Sequence, residues 1–142
     1  MIERYKIKEI DEIWSEENKL KLWLKIEVLT IEGFEKRGLL PKGISEKIKK
    51  KNIFITPSEV KEREKITNHD VAAFVDVLEK KLGEDIAPFV HFGLTSSDLL
   101  DTTIAIQMRD TLKIVLKRLR NLGKVLENKI RETRGILIAG RT

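Results

Sequence analysis

Between Ser97 and about Glu132 apolar residues recur at helical spacing, from Leu100, Ile104 and Met108 through Leu112, Val115, Leu119 and Leu122 to Val125, Leu126 and Ile130, with no proline among them. A helix of about 36 residues rising about 1.5 Å each is a rod of roughly 54 Å, longer than a domain of this size is wide. A small domain packed at one end cannot cover a stripe that long. The pattern therefore predicts a helix that bundles with others, from a longer chain, from other subunits, or from both. Gly123 is its one weak position.

The rod opens from the string His91-Phe92-Gly93-Leu94-Thr95-Ser96-Ser97-Asp98-Leu99-Leu100-Asp101-Thr102-Thr103. Thr95, Ser96, Ser97 and Asp98 are residue types that cap helices, and the free N–H groups and dipole of a helix N-terminus attract anions. A bound carboxylate would fit there. His91 upstream and Asp101, Thr102 and Thr103 downstream add more polar groups than one cap uses.

Upstream, the chain reads as short helices. Ser15-Glu16-Glu17 starts a helix to about Arg37, with Leu20, Trp23, Leu24, Val28, Ile31 and Phe34 on its apolar face, widened by Leu22, Ile26 and Leu29. Gly38 ends it, and a small helix over 45–51 follows the Pro41-Lys42-Gly43 turn. Ile53-Phe54-Ile55 has strand-like residues but no partner strand, so it reads as an extended connector. Pro57-Ser58-Glu59 opens a helix to about Ile66, and Thr67 with Asp70 resembles a capping box for the next, which runs to Leu82 and buries Val71, Phe74, Val75 and Leu78. Gly83 closes that helix, and a short turn surrounds Pro88. The fold class is all-α. A compact helical domain over 1–93 precedes a second unit, 94–142, that begins with the rod.

Net charge +5 raises the question of nucleic acid. The densest cluster, Lys47, Lys49, Lys50 and Lys51, has no interleaved aromatics and no zinc-finger, KH or RRM signature, so it reads as a solvated helix face. An anionic small-molecule ligand suits the same balance. Without cysteine there are no disulfides or thiolate metal sites, and without a signal peptide or long apolar run the default location is the cytoplasm, with no membrane partner.

His69 and His91 are the only histidines. They lack a carboxylate spacing that would make a metal site, and no phosphate loop, nucleophile elbow or dinucleotide fingerprint accompanies them, so neither metal nor cofactor is expected. His69 stands at the start of a helix, where free N–H groups help hold an anion, with Asp70 beside it to orient the ring or cap the helix. Residue chemistry alone leads to an anion-binding helical protein with His, Ser, Thr and Arg as ligands.

Several segments match a known family in order and spacing. Arg4-Tyr5, Ile13-Trp14-Ser15-Glu16-Glu17-Asn18-Lys19 with Trp23-Leu24, Thr67-Asn68-His69-Asp70-Val71 with Ala73-Phe74, the string from His91 to Thr103, and Gly140-Arg141-Thr142 resemble the fumarase/aspartase superfamily, in the form carried by adenylosuccinate lyases. Asn68 departs from the basic residue or histidine that many relatives carry there, which removes a charge near the phosphate. The resemblance implies β-elimination of fumarate from adenylosuccinate, giving AMP, and from the succinylated aminoimidazole carboxamide ribotide of purine biosynthesis.

It also implies roles. Thr95, Ser96 and Thr142, with Arg141 beside the last, resemble ligands of the succinyl carboxylates, and Arg4 and Tyr5 resemble contacts to the nucleotide phosphate, where a guanidinium fork is well suited. His69 and His91 resemble the family's active-site histidines, the first orienting substrate or acid, the second supporting the phosphate or the turn, and Asp70 accompanies them on the substrate side. The family's general acid is a histidine that would follow Thr142, and its base a serine on a mobile loop further on, so residues 1–142 read as an N-terminal piece, inactive alone. Family members are homotetramers whose active sites combine three subunits. Two other readings remain: a carboxymuconate cycloisomerase-like member of the superfamily, and a non-catalytic helical scaffold or nucleic-acid-binding module built on the rod and the Lys47 to Lys51 cluster.

Overall fold

A computed structural model describes residues 3–140. It contains helices α1 (Lys8–Ile13), α2 (Glu16–Lys36), α3 (Ile44–Lys50), α4 (Pro57–Thr67), α5 (Asp70–Leu82) and α6 (Ser96–Thr133), with single 3-10 turns at Glu3–Tyr5 and Ala87–Phe89. Among the described residues there is no strand; Asn52 is a left-handed turn residue (φ 45°), and 53–56 is the connector to α4. None of the described helices is long and apolar enough to cross a membrane.

Local chemistry accounts for most of the boundaries. The Ser15 side chain accepts the Asn18 N–H at 3.1 Å to start α2, and Gly38, at φ 72°, lets the chain leave after Arg37. At α4 a reciprocal box forms one residue ahead of Pro57: Thr56 N–H donates to Glu59 at 2.8 Å and Glu59 N–H to the Thr56 hydroxyl at 3.3 Å.

The next boundary differs from the sequence expectation. Thr67 belongs to the last turn of α4, and the Thr67/Asp70 capping box does not form. Asn68 adopts the left-handed conformation (φ 51°) that ends α4, and His69, extended at φ −153°, becomes the N-cap of α5. A single left-handed asparagine satisfies the end of one helix and reverses the chain, which leaves no room for a box reaching back to Thr67.

The reversal folds α4 antiparallel onto α5, where Arg63 pairs with Asp76 and Lys81 with Glu59, each at 2.6 Å. Helix α2 is the centre of the molecule. Its Trp23 is fully buried and meets fully buried Phe74 of α5 edge to face, centroids 5.2 Å apart. Leu20, Ile31, Val71, Leu78, Leu82, Ile86, Val90 and Leu99 belong to the same cluster. Ile26 joins it, whereas Leu29, expected on the buried face, is 52% exposed, so the stripe is narrower than the sequence suggests.

Only the first third of α6 belongs to this core. Leu99, Thr103 and Gln107 are buried one helical turn apart. The corner between α1 and α2 grips the helix further up: Gln107 Nε2 donates to the Ile13 carbonyl at 2.8 Å, Trp14 Nε1 to Thr111 Oγ1 at 2.9 Å, and Arg118 pairs with Glu9 at 2.9 Å. From Leu116 to Gly140 every described residue is exposed. Helix α6, 38 residues and about 57 Å long, thus projects an apolar stripe in which Leu112, Leu119, Leu122 and Leu126 are each just over half exposed. The helix passes through Gly123 unbroken.

Replacing Phe74 with alanine should cost about 3 to 5 kcal/mol, because the cavity opens against Trp23 in the fully buried core. Urea denaturation measures this, and a loss below about 1 kcal/mol would mean that the core is not organised around this pair. The stripe predicts that the chain self-associates: sedimentation of Leu119→Glu with Leu126→Glu should show a smaller species than the unsubstituted chain, and identical profiles would leave the stripe without that role.

Candidate functional site

The turn ahead of α6 is held in place from α2. After the 3-10 turn at Ala87–Phe89, His91 takes a left-handed conformation (φ 56°) and Gly93 a second (φ 70°). Gly93 is required twice over, since a Cβ there would lie 3.2 Å from Phe34 Cζ in a backbone conformation costly for other residues. Phe92 packs edge to face on Phe34, centroids 5.8 Å apart. The strongest anchor is Glu27, only 1% exposed, whose carboxylate accepts the His91 backbone N–H at 2.8 Å and meets its ring Nδ1 at 2.7 Å.

Glu27 was not among the residues singled out from the sequence. A signal was available: Glu27 lies four residues from both Trp23 and Ile31, on the buried stripe of α2. A buried carboxylate there needs donors from elsewhere in the fold.

Four residues past His91, Thr95 caps α6. Its hydroxyl accepts the Ser97 N–H at 3.2 Å, and its own N–H donates to Asp98 at 2.8 Å. One carboxylate is thereby already placed at this N-terminus. Ser96 is the first helical residue and half-buried, and its hydroxyl makes no hydrogen bond among the described residues. What the turn offers a ligand is the Ser96 hydroxyl, the hydrogen of the Thr95 hydroxyl and the unpaired N–H of the first turn.

His69 occupies the equivalent position on α5. Its Nδ1 accepts the Ala72 N–H at 3.4 Å and lies 3.5 Å from Asp70 Oδ1, while Asp70 accepts the Val71 N–H at 2.8 Å. A cap through Nδ1 leaves the ring proton on Nε2, at the exposed edge. Arg4 stands over the Tyr5 ring at 4.9 Å, both exposed. Arg141 and Thr142 lie outside the described residues.

The residues singled out do not converge within one copy of the chain. His91, Thr95 and Ser96 share one turn. His69 caps the start of the 13-residue α5, whereas the turn at His91 follows the other end of that helix. A hollow of about 950 Å³ between α4 and α5 involves none of them, and its Arg63, Asp76, Glu59 and Lys81 are engaged with one another. Among the described residues no cluster of three or more acidic or histidine side chains is arranged to hold a metal ion.

Several carboxylates are displaced from their ordinary range. The Lys81 ammonium, with the Thr56 N–H, holds Glu59 down from 4.5 to about 2. For Glu35, burial pushes upward, but the Ser45 hydroxyl and N–H, at 2.7 and 2.9 Å, and the N–H groups of Ile44 and Gly43 together bring it below its usual value. Glu79 moves up, from burial first and then from neighbouring Asp76.

The fold is an all-helical unit that ends in a long projecting helix, with a histidine and hydroxyls at the base of that helix. The match to the lyase family covers residues 4–142, and the chain belongs to that family. It is 38% identical to the adenylosuccinate lyase of Aquifex aeolicus over 144 residues, covering 100% of this chain and 33% of that protein. It is also 37% identical to that of Archaeoglobus fulgidus, over 98% of this chain and 31% of the relative, and 35% identical to that of Bacillus subtilis, over 100% and 32%. The chain thus spans about a third of the length of these curated relatives. In fold it superposes with a TM-score of 0.86 on two crystal structures: a fumarate lyase from Mesorhizobium sp. BNC1, covering 95% of this chain and 32% of that one, and a β-carboxy-cis,cis-muconate cycloisomerase from Acinetobacter calcoaceticus sp. ADP1, covering 96% and 33%, each at 23% identity.

The Thr95 cap should be worth about 1 kcal/mol, so Thr95→Ala should speed hydrogen exchange in the first turn of α6 by about fivefold while the core of α2 and α5 is unchanged. The depressed carboxylates set the acid limb of stability. A carboxyl group whose folded pKa lies below its unfolded value stabilises above the unfolded value and loses that contribution as pH falls through the folded one, here between 4.5 and about 2 for Glu59. Glu59→Gln, which keeps an amide able to cap, should therefore lose less stability than the parent between pH 5 and 2. Parallel urea midpoints across that range would show that Glu59 carries none of the acid sensitivity.

Proposed function

We propose that this chain forms the first part of an adenylosuccinate lyase, a cytoplasmic homotetramer that eliminates fumarate from adenylosuccinate, giving AMP, and from the succinylated aminoimidazole carboxamide ribotide in purine biosynthesis. The observation that carries the reading is the hydroxyl-capped start of α6, directly after a histidine gripped by Glu27, in a chain about 35 to 38% identical to adenylosuccinate lyases along its whole length. The substrate is a small dianion or polyanion, and neither cofactor nor metal takes part in the proposed chemistry.

The elimination breaks a C–N bond after a proton leaves the carbon next to a carboxylate. The electron pair left behind spreads into that carboxylate, then forms the double bond of fumarate as the nitrogen departs with a proton. The donors left at the start of α6 suit this charge: the Ser96 N–H, the Ser96 hydroxyl and the Thr95 hydroxyl hydrogen stabilise an oxyanion most when its charge is fullest. His69, with Nε2–H outward and Asp70 beside it, orients the substrate or the acid. His91 supports the phosphate, and Arg4 with Tyr5 supplies a planar guanidinium against an aromatic face for the same group. Arg141 and Thr142 complete the carboxylate side.

The separation of His69 from the turn at His91 favours a site assembled from more than one subunit. The bare stripe on α6 favours a bundle that brings those subunits together. The domain division proposed is a compact unit over 1–93 and the start of the bundle over 94–142, with the first turns of α6 anchored in the former.

In the enzyme of full family length, His69→Ala and Ser96→Ala should each lower kcat by about two orders of magnitude with the fold intact, as for loss of a positioned proton-transfer or oxyanion group. Near-normal turnover in both would overturn the assignment. Arg4→Ala should instead weaken AMP binding by about 1.5 to 3 kcal/mol, measured by titration, with unchanged affinity meaning that Arg4 does not reach the phosphate.

A further inference from the structure

We infer that Glu27 is a positioning residue for His91, selecting which edge of the imidazole is offered to the substrate. This inference rests on the functional reading above. The two oxygens of one carboxylate hold two donors of a single residue: Oε2 takes the His91 backbone N–H at 2.8 Å and Oε1 faces ring Nδ1 at 2.7 Å. The Glu27 side chain is 2% exposed and that of His91 22%, so the carboxylate forms the floor and one edge of the ring reaches the surface.

An ionised carboxylate has no hydrogen to give, so the nitrogen facing it must carry one. The proton therefore sits on Nδ1, and Nε2 is the nitrogen left for the ligand side. The backbone bond works with this. It fixes the left-handed turn at His91, which a non-glycine residue adopts only when its surroundings impose it. Main chain and ring are thus located by one buried group on α2. His69 contrasts directly, because its Nδ1 accepts a backbone N–H and its proton lies on Nε2. The two histidines are set in opposite tautomers. His91 offers a lone pair on Nε2 when neutral and a second N–H, suited to an anionic oxygen, when it takes up a proton.

Glutamine separates position from shape. Glu27→Gln has the same outline but one acceptor oxygen, so if that oxygen keeps the backbone N–H its amide hydrogens face Nδ1, which must then become an acceptor. Imidazole ¹⁵N spectra of the 142-residue chain should show the His91 proton on Nδ1 in the parent and on Nε2 in Glu27→Gln, with circular dichroism unchanged. A parent ring already protonated on Nε2, or a spectrum unaltered by the substitution, overturns the inference.

The second measurement uses the full-length enzyme. Glu27→Gln and His91→Ala should each raise the KM for adenylosuccinate at least tenfold with a smaller change in kcat, and the double variant should be no worse than His91→Ala. Additive losses would mean that Glu27 does not act through His91, and normal kinetics in Glu27→Gln would mean that its hold on the ring does not serve the substrate. Absence of lyase turnover in the unsubstituted enzyme would count against the proposed function instead, while the ring spectra need no substrate and stand independently.

Discussion

A buried carboxylate has to be met by donors, and the structure is arranged around how that demand is satisfied at Glu27. The Glu27 side chain is buried on α2, whose apolar core includes Trp23, Ile31, Phe74, Leu78 and Leu99. Leaving it unpaired would cost several kcal/mol. The donors come from His91, 64 residues later, which ties the loop after α5 to α2 and fixes where α6 begins. Because α6 runs about 57 Å, a small error in its starting direction would be a large displacement at its tip. A rigid origin is therefore worth more here than in a short helix.

The same helix also supplies the apolar side of that anchor. Phe34, two turns beyond Glu27, packs against Phe92 and crowds any side chain at position 93. The polar grip and the aromatic contact act on neighbouring residues of one turn. Two left-handed residues within three positions are sustained by these contacts. The corner between α1 and α2 adds a second hold through Ile13, Trp14 and Glu9, so the lower half of α6 is fastened on one flank while its upper half is bare.

This division of labour suits a family member that spans only about a third of its relatives' length. The part of α6 that is fastened carries the polar turn, and the part that is exposed carries the stripe. Its high charge is managed locally, by half-exposed pairs such as Arg63 with Asp76 and Lys81 with Glu59 on the α4 and α5 surface. The hydroxyl turn is left with few formal charges of its own beyond Asp98, which is committed to the cap.

Much of this was legible from residue order. Periodicity identified α6 and its unpaired stripe, Ser15 and Pro57 marked helix starts, and Gly38 marked an end, because caps and amphipathic faces are decided by residues within a turn or two of each other. The motif residues from His91 to Asp98 were likewise visible as a string. What the string could not contain is the group that holds it. Glu27 is distant in sequence, and only packing of α2 against the loop after α5 brings its carboxylate to His91. The same limit explains the boundary at His69, where the reversal of α4 onto α5 selects a left-handed Asn68 over the local Thr67/Asp70 box, and Leu29, which the pattern places inward but which no neighbouring helix covers. Local rules determine which helices form and where their apolar sides lie; which histidine edge faces outward is decided only when distant elements meet, because a ring's tautomer depends on the partner across the fold and not on its neighbours in the chain.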